Sequence, residues 1–256
     1  MKDNPKLYKY LDVNGGLSML HFGNLQFTNA TRLNDPFDCH PALFDFTNAP
    51  EYPNNWPPKE FRIEKGKLDT KNLRNRAWIC SLSKIHDSIL MWSYYGNHNG
   101  VCIGLDMEKV NTYLSRIQCG MYFGAFEMEV QYRDVIEKPN FFGDVKDTYR
   151  YQLSTKAKAW EHEQEVRLIL DGPSYGSVPM FSNRQPKINE VVDGKELRVY
   201  PHLGPECFES LYLGVNIEPE IREKFISEAR KCNPDIKIYQ MTIDPDAFRL
   251  KEEMIK

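Results

Sequence analysis

The chain has 256 residues, of which 41% are hydrophobic, and a formal net charge of -3. That is enough chain and enough apolar content for a substantial core, which excludes a disordered protein. The near-neutral balance excludes a chain-wide basic footprint for nucleic acid but leaves room for a local one, and no apolar run reaches the roughly 20 residues that span a bilayer.

The start, Met1-Lys2-Asp3-Asn4-Pro5, is polar and leads into no apolar signal region. Leu7 to Tyr10 reads as a short strand, and Asn14 or Gly15 to Leu20 as a short helix stopped by Gly23. Leu25 to Thr28 is a second strand. Ala30 to Cys39 contains Asn-Asp-Pro and must turn. Pro50 to Pro58 is a Pro- and Asn-rich loop, with Trp56 exposed or clamped. Lys59 to Asn75 is a polar helix. Trp78 to Leu82 alternates as a strand does.

Ser88 to Tyr95 forms one or two helical turns ended by Gly96. A strand over Gly100 to Asp106 and a helix over Met107 to Arg116 follow. Strands are expected at Ala125 to Tyr132 and Glu165 to Leu170, with a helix at Val145 to Trp160 between them. Short strands at Leu197 to Tyr200 and Leu211 to Gly214 precede an amphipathic helix, Pro219 to Lys231, and a strand, Ile236 to Ile243. Strands outnumber helices and several are consecutive. This predicts an α+β fold, one domain over residues 1–256, around a mixed and strongly curved β-sheet. No G-x-G-x-x-G follows a strand, and no P-loop or G-x-S-x-G occurs.

Three stretches carry candidate chemistry. The first is Trp160-Glu161-His162-Glu163-Gln164-Glu165-Val166-Arg167, running into an apolar segment. As a strand it places Glu163, Glu165 and Arg167 on one face. Either one Glu–Arg bridge sits there beside solvated acids, or a carboxylate is held for catalysis or binding. Glu163, at the strand entrance, is the more accessible expectation and Glu165 the buried, ion-paired one. The second is Leu33-Asn34-Asp35-Pro36-Phe37-Asp38-Cys39: either Asx hydrogen bonds hold this loop, or it lines a cleft with Asn34 or Asp38 binding polar groups.

The third is Met91-Trp92-Ser93-Tyr94-Tyr95-Gly96-Asn97-His98-Asn99-Gly100. Trp92 and Tyr95 share a helical face, as core or as a recognition surface. No second His or Cys stands at ligand spacing from His98, so no metal site is expected. Glu127 and Glu129 read as a solvated strand face. Seven Lys or Arg against three acids between Lys59 and Arg76 read as a solvated helix face or a local basic one. The six cysteines form no C-x-x-C pair. They point to reduced thiols and a cytoplasmic setting, with Cys80 and Cys102 in the core.

As an ordered set, Leu7-Tyr8-Lys9-Tyr10, Leu25 to Phe27 with Leu33 to Asp38, Ile79 to Ser83, Met91 to Tyr95 with His98 to Val101, and Lys158 to Arg167 resemble a bacterial family known as domain of unknown function 2971. The resemblance covers about residues 7–170, and Leu211 to Gly214 extends it. The rest, about 197–243, reads as a strand–helix–strand extension. That family name carries no chemistry.

A more distant resemblance is to ADP-ribosyltransferases, whose late strand often bears Glu-x-Glu. It implies an ADP-ribosyltransferase-like fold with NAD as co-substrate. Lys9 or Tyr10 fills the first NAD-contacting position. The segment from Phe27 through Asn34, Asp35 and Phe37 fills the second. Glu163 or Glu165 fills the third, the later acid, Glu165, being catalytic and Glu163 orienting the acceptor. Tyr8, Tyr10 or Trp92 would stack the nicotinamide, and Arg167 would keep Glu165 ionised. The first position is not His or Arg, and the second lacks the usual Ser or Tyr.

The implied function is an effector or toxin that modifies nucleic acid or protein, in phage defence or paired with an antitoxin protein. Two other functions fit the residues. One is a non-catalytic module sensing nucleic acid or a phage protein by stacking on Trp56 or Trp92. The other is a metal-independent nuclease using His98 and the carboxylates.

Overall fold

The computed structural model describes residues 6–117, 124–171, 191–192, 195–196 and 198–255. Cys119 and Leu197 lie outside them. Fourteen strands and six α-helices alternate irregularly: β1 (Lys6–Leu11), α1 (Val13–Phe22), β2 (Phe27–Asn29), α2 (Lys59–Arg76), β3 (Ala77–Ser83), α3 (Ile89–Gly96), β4 (Val101–Asp106), α4 (Met107–Ile117), β5 (Gly124–Glu129), β6 (Gln131–Arg133), α5 (Val145–Ser154), β7 (Thr155–Ala157) and β8 (Glu165–Asp171). β9 (Val191–Val192), β10 (Lys195–Glu196), β11 (Arg198–Val199), β12 (Phe208–Leu213), α6 (Pro219–Cys232), β13 (Lys237–Ile243) and β14 (Leu250–Ile255) complete the described elements.

Ten strands form one mixed sheet in a single α+β domain. β11-β2-β3-β1-β4-β12-β13-β14 is its main path, and β8 then β5 continue from β3. Only β12 and β13 pair in parallel within it. The strong curl expected from the sequence is absent: the outer strands β11 and β14 do not pair, and β12, β13 and β14 extend the sheet from the open edge of β4. The C-terminal strands are therefore part of the main sheet.

The sheet forks at β3. Its whole length, Ala77 to Ser83, pairs with β8, which uses one edge completely. The other edge is shared: Trp78 and Ile79 face β2, and Ser83 faces Tyr8 of β1. Between these contacts no described strand pairs with the backbone of β3 on that edge. The Lys9 ammonium fills part of the gap, donating to Ser81 O at 2.8 Å.

Period-two alternation sets the two faces. Val101, Ile103 and Leu105 of β4 join Leu211 and Leu213 of β12 under Met19 and Leu20 of α1 and Phe225 and Ala229 of α6. Tyr10, Cys102 and Tyr212 point the other way, against Trp92 of α3 and Met241. Cys39, Cys80, Cys102 and Cys207 are buried free thiols. No described helix is long and apolar enough to cross a membrane.

Two elements near the acidic stretch differ from expectation. The helix expected over Val145 to Trp160 ends at Ser154, because Thr155 to Ala157 pairs in parallel with β6. Glu163 is not on a strand. It ends a 3-10 helix, Lys158–Glu163, and Gln164 turns through φ 42° before β8 begins.

Candidate functional site

A cleft with a volume of about 330 Å³ opens at the fork. Tyr8, Lys9 and Tyr10 line it from β1, Asn34 and Asp38 from the Asn-Asp-Pro loop, and Ser81 and Ser83 from β3. Tyr95 of α3, Lys156 of β7, and Glu163 and Glu165 form the remaining acidic side. Segments far apart in the chain thus meet in one place.

The floor is a chain of buried polar groups. Arg167 is fully buried, and a guanidinium without solvent must be neutralised locally. Its Nε donates to Glu165 Oε1 at 2.9 Å and its Nη2 to Glu165 Oε2 at 3.2 Å. Nη2 also meets Asp38 Oδ1 at 2.7 Å, and Nη1 donates to Leu153 O at 2.9 Å. The Lys156 ammonium bridges the two glutamates, 3.0 Å from Glu165 Oε2 and 2.5 Å from Glu163 Oε2. The Trp160 ring covers that ammonium at 4.9 Å. Tyr95 OH donates to Glu163 Oε1 at 2.6 Å, and the Asn34 side chain hydrogen-bonds the same hydroxyl.

Burial by itself would push the Glu165 carboxyl up, but Arg167 and then Lys156 outweigh it and hold the group down at about 2. Burial would lower Lys156, yet Glu165, Glu163 and Asp38 keep it raised. Burial raises Asp38 despite Arg167 beside it, and raises the Tyr95 hydroxyl, reinforced by Glu163. Three carboxylates face two cations, so the floor carries an excess negative charge when all five are ionised. The mouth is basic: Lys9, Arg32 and Arg198 line it.

A depressed carboxyl stabilises the fold only while ionised. The stability that Glu165 contributes is complete above its ordinary value of 4.5 and disappears as pH falls toward about 2. Denaturation midpoints measured between about pH 6 and pH 3 are expected to fall, and Glu165→Gln to flatten that slope.

The expected site residues divide into two groups. Lys9, Tyr10, Asn34, Glu163 and Glu165 line the cleft. Tyr10 is pinned there, its hydroxyl donating to Ile85 O at 3.0 Å. Arg167 lies beneath the floor and reaches the cleft only through Glu165 and Asp38. Asp35 is buried and acts on the loop, its Oδ1 accepting from the Phe37 amide at 2.9 Å. Phe37 points to solvent at 53% exposure and lies outside the cleft lining. Trp92 also lies outside that lining, as a fully buried core residue whose Nε1 donates to His86 O at 2.8 Å.

Glu163 is not the accessible acid expected of it. It is 3% exposed, as is Glu165, because the 3-10 turn folds it back onto Lys156. His98 lines a separate cleft with Asn216, Asp244, Asp246 and Phe248, which does not include Glu163 or Glu165. Sequence reasoning missed Lys156, which sits in the segment read as a helix over Val145 to Trp160. Nothing in its neighbours marks it, since its importance comes from two acids that a 3-10 turn brings back to it. Tyr95 was legible as a helix-face aromatic but not as the donor to Glu163.

Residues 91–168 match the family described as protein of unknown function (DUF2971). The matched span holds Tyr95, Lys156, Glu163, Glu165 and Arg167, whereas Lys9, Asn34 and Asp38 lie before it. No curated protein and no solved structure matches the chain.

Proposed function

We propose that the forked-sheet cleft binds NAD and that the protein is an ADP-ribosyltransferase-like enzyme. One observation carries the reading: Lys9, Asn34 and the Glu163–Glu165 pair line one cleft that is basic at its mouth and acidic at its floor. A diphosphate suits Lys9, Arg32 and Arg198, and a developing positive charge suits the carboxylates. The volume is at the lower end of the usual range of about 300–1,000 Å³, enough for the reacting end of a dinucleotide.

NAD supplies the ADP-ribosyl group and a nicotinamide leaving group, which departs with the electron pair of the bond to ribose C1′. Glu163 faces the charge that grows on the ribose. The acceptor nucleophile bonds to C1′ and gives up its proton, which Glu163 is placed to receive.

Hydrogen-bond capacity assigns the two roles in the reverse of the order expected from Glu-x-Glu. A carboxylate accepts about four hydrogen bonds. Glu165 takes two from Arg167, one from Lys156 and one from the Ser81 hydroxyl. Glu163 takes one from Tyr95 and one from Lys156, which leaves capacity for a ribose hydroxyl. Glu163 is then the reacting acid and Glu165 a positioning residue.

Incubation with NAD labelled in the adenylate, together with RNA, DNA and lysate protein, tests the reading. Release of nicotinamide and transfer of label are expected. Neither product, where a known transferase works, sinks it. Asn34→Ala is expected to keep the melting temperature and to weaken NAD binding about threefold to tenfold through loosened Tyr95. Cytoplasmic action as a toxin, countered by an antitoxin protein or directed at phage, belongs to the same proposal. Growth arrest on expression, relieved by Glu163→Gln, is its expected sign. The saturation of Glu165 favours a second reading, a non-catalytic sensing module. Ligand binding without turnover would identify it.

A further inference from the structure

We propose that a second cleft, at the start of α2, binds single-stranded nucleic acid, taking a phosphate at Arg62 and Lys65 and a base against Trp56. This goes beyond the NAD reading and does not depend on it. The cleft has a volume of about 380 Å³ and lies between α2 and the Pro-rich loop before it, with Phe141 and Phe142 at its far side.

Arg62 is the unusual group. It is 7% exposed and lines this cleft, yet its Nε and Nη2 are buried without a hydrogen-bond partner. Only Nη1 is engaged, by Pro57 O, while the Tyr52 ring lies 4.9 Å from the guanidinium carbon. Buried polar groups are almost always satisfied, and a guanidinium is built to hold an anion on two parallel donors. Two unpaired guanidinium donors fit an anion that reaches them when the side chains covering them move aside.

The walls favour a nucleotide over a bare anion. Trp56 is 77% exposed, and Tyr52 and Phe61 also present large faces to solvent. Gly66 allows the close approach of the far side: a Cβ there would stand 2.8 Å from the Phe141 ring, which itself packs on Phe44 and Phe46. The aromatic wall is thus backed by a fixed aromatic cluster. Exposed rings beside Lys65 make a platform for unpaired bases, which stack on any π-face.

Charge along α2 extends the site. Lys65 lines the cleft, and Asp69 is the one acid that does. Among the described residues no carboxylate pairs with Lys59, Lys65 or Lys71, whereas Lys67 pairs with Glu64 and Arg76 with Asp171. Lys65, unpaired at the cleft, attracts a phosphate there. Further along, Arg74 donates to Ala30 O, where the chain turns toward Arg32 at the mouth of the first cleft. Arg62 and Arg74 are separated by roughly 18 Å of helix.

Fluorescence anisotropy with a labelled single-stranded oligonucleotide, the full chain and no NAD tests the proposal. Binding is expected to weaken steeply with salt. Trp56→Ala leaves the core untouched and is expected to weaken binding at least about fivefold. Lys65→Ala is expected to lower affinity and to reduce the salt slope by roughly one. Arg62→Met, checked for its melting temperature, is expected to weaken binding more than Lys65→Ala. Binding unchanged by both Trp56→Ala and Lys65→Ala overturns the proposal. So does preference for duplex, or an affinity for a mononucleotide equal to that for the strand.

Discussion

Arg167→Met is expected to cost the fold at or above the upper end of about 3–5 kcal/mol, the usual loss when one partner of a buried ion pair is removed. Arg167 is fully buried and neutralises two carboxylates, Glu165 at 2.9 Å and Asp38 at 2.7 Å. Met fills much of the same volume but donates nothing. Glu165 would keep Lys156, whereas Asp38 would lose its ion-pair partner. The Leu153 carbonyl would also lose its donor. The chain must then protonate Asp38, admit water or unfold.

Urea denaturation checks this expectation, as a lower midpoint at unchanged slope. Adding Asp38→Asn to Arg167→Met should recover part of the loss, because the stranded charge is gone. A single variant as stable as the parent would mean that the network contributes little to folding.

Glu163→Gln is expected to lower the rate of nicotinamide release about 10²- to 10⁴-fold while the protein stays folded. Gln keeps an oxygen for the Tyr95 hydroxyl and roughly the same shape. It removes the negative charge facing the ribose and the proton acceptor. Lys156 retains Glu165 as a counter-charge at 3.0 Å, so the floor keeps an ion pair. Melting temperature separates the two glutamates. Glu165→Gln should lose stability because Arg167 depends on it, whereas Glu163→Gln should lose activity first. Full activity in a folded Glu163→Gln variant would return the reacting role to Glu165 or remove it from this pair.

The Trp160 to Arg167 stretch was legible as a place where charge needs a reason. Its alternation also announced the strand that begins at Glu165. The conformation of Glu163 was not legible, because a left-handed residue at Gln164 is a local event that no periodicity encodes. The helix over Val145 to Trp160 failed for a related reason. Helical propensity runs on past Ser154, but parallel pairing of Thr155 to Ala157 with β6 overrides it. Trp92 and Phe37 were ambiguous as single letters, since an aromatic residue serves a core or a ligand equally well.

The sequence by itself determined the class of fold, most of the strands and the segments that hold the polar site. These follow from alternation, turn chemistry and the cost of charge beside apolar runs, all of which act within a few residues. Tertiary structure alone decided that β8 fills one whole edge of β3 and leaves the other split between β1 and β2. The cleft exists because of that split. Tertiary structure also chose Lys156 as the bridge between the two glutamates and left Arg62 with two unpaired donors beside an aromatic wall. The strand pairings join residues tens of positions apart, while the Lys156 bridge is closed by a turn within ten residues, and the energies of both depend on burial and distance. Neither quantity is defined until the chain has closed on itself.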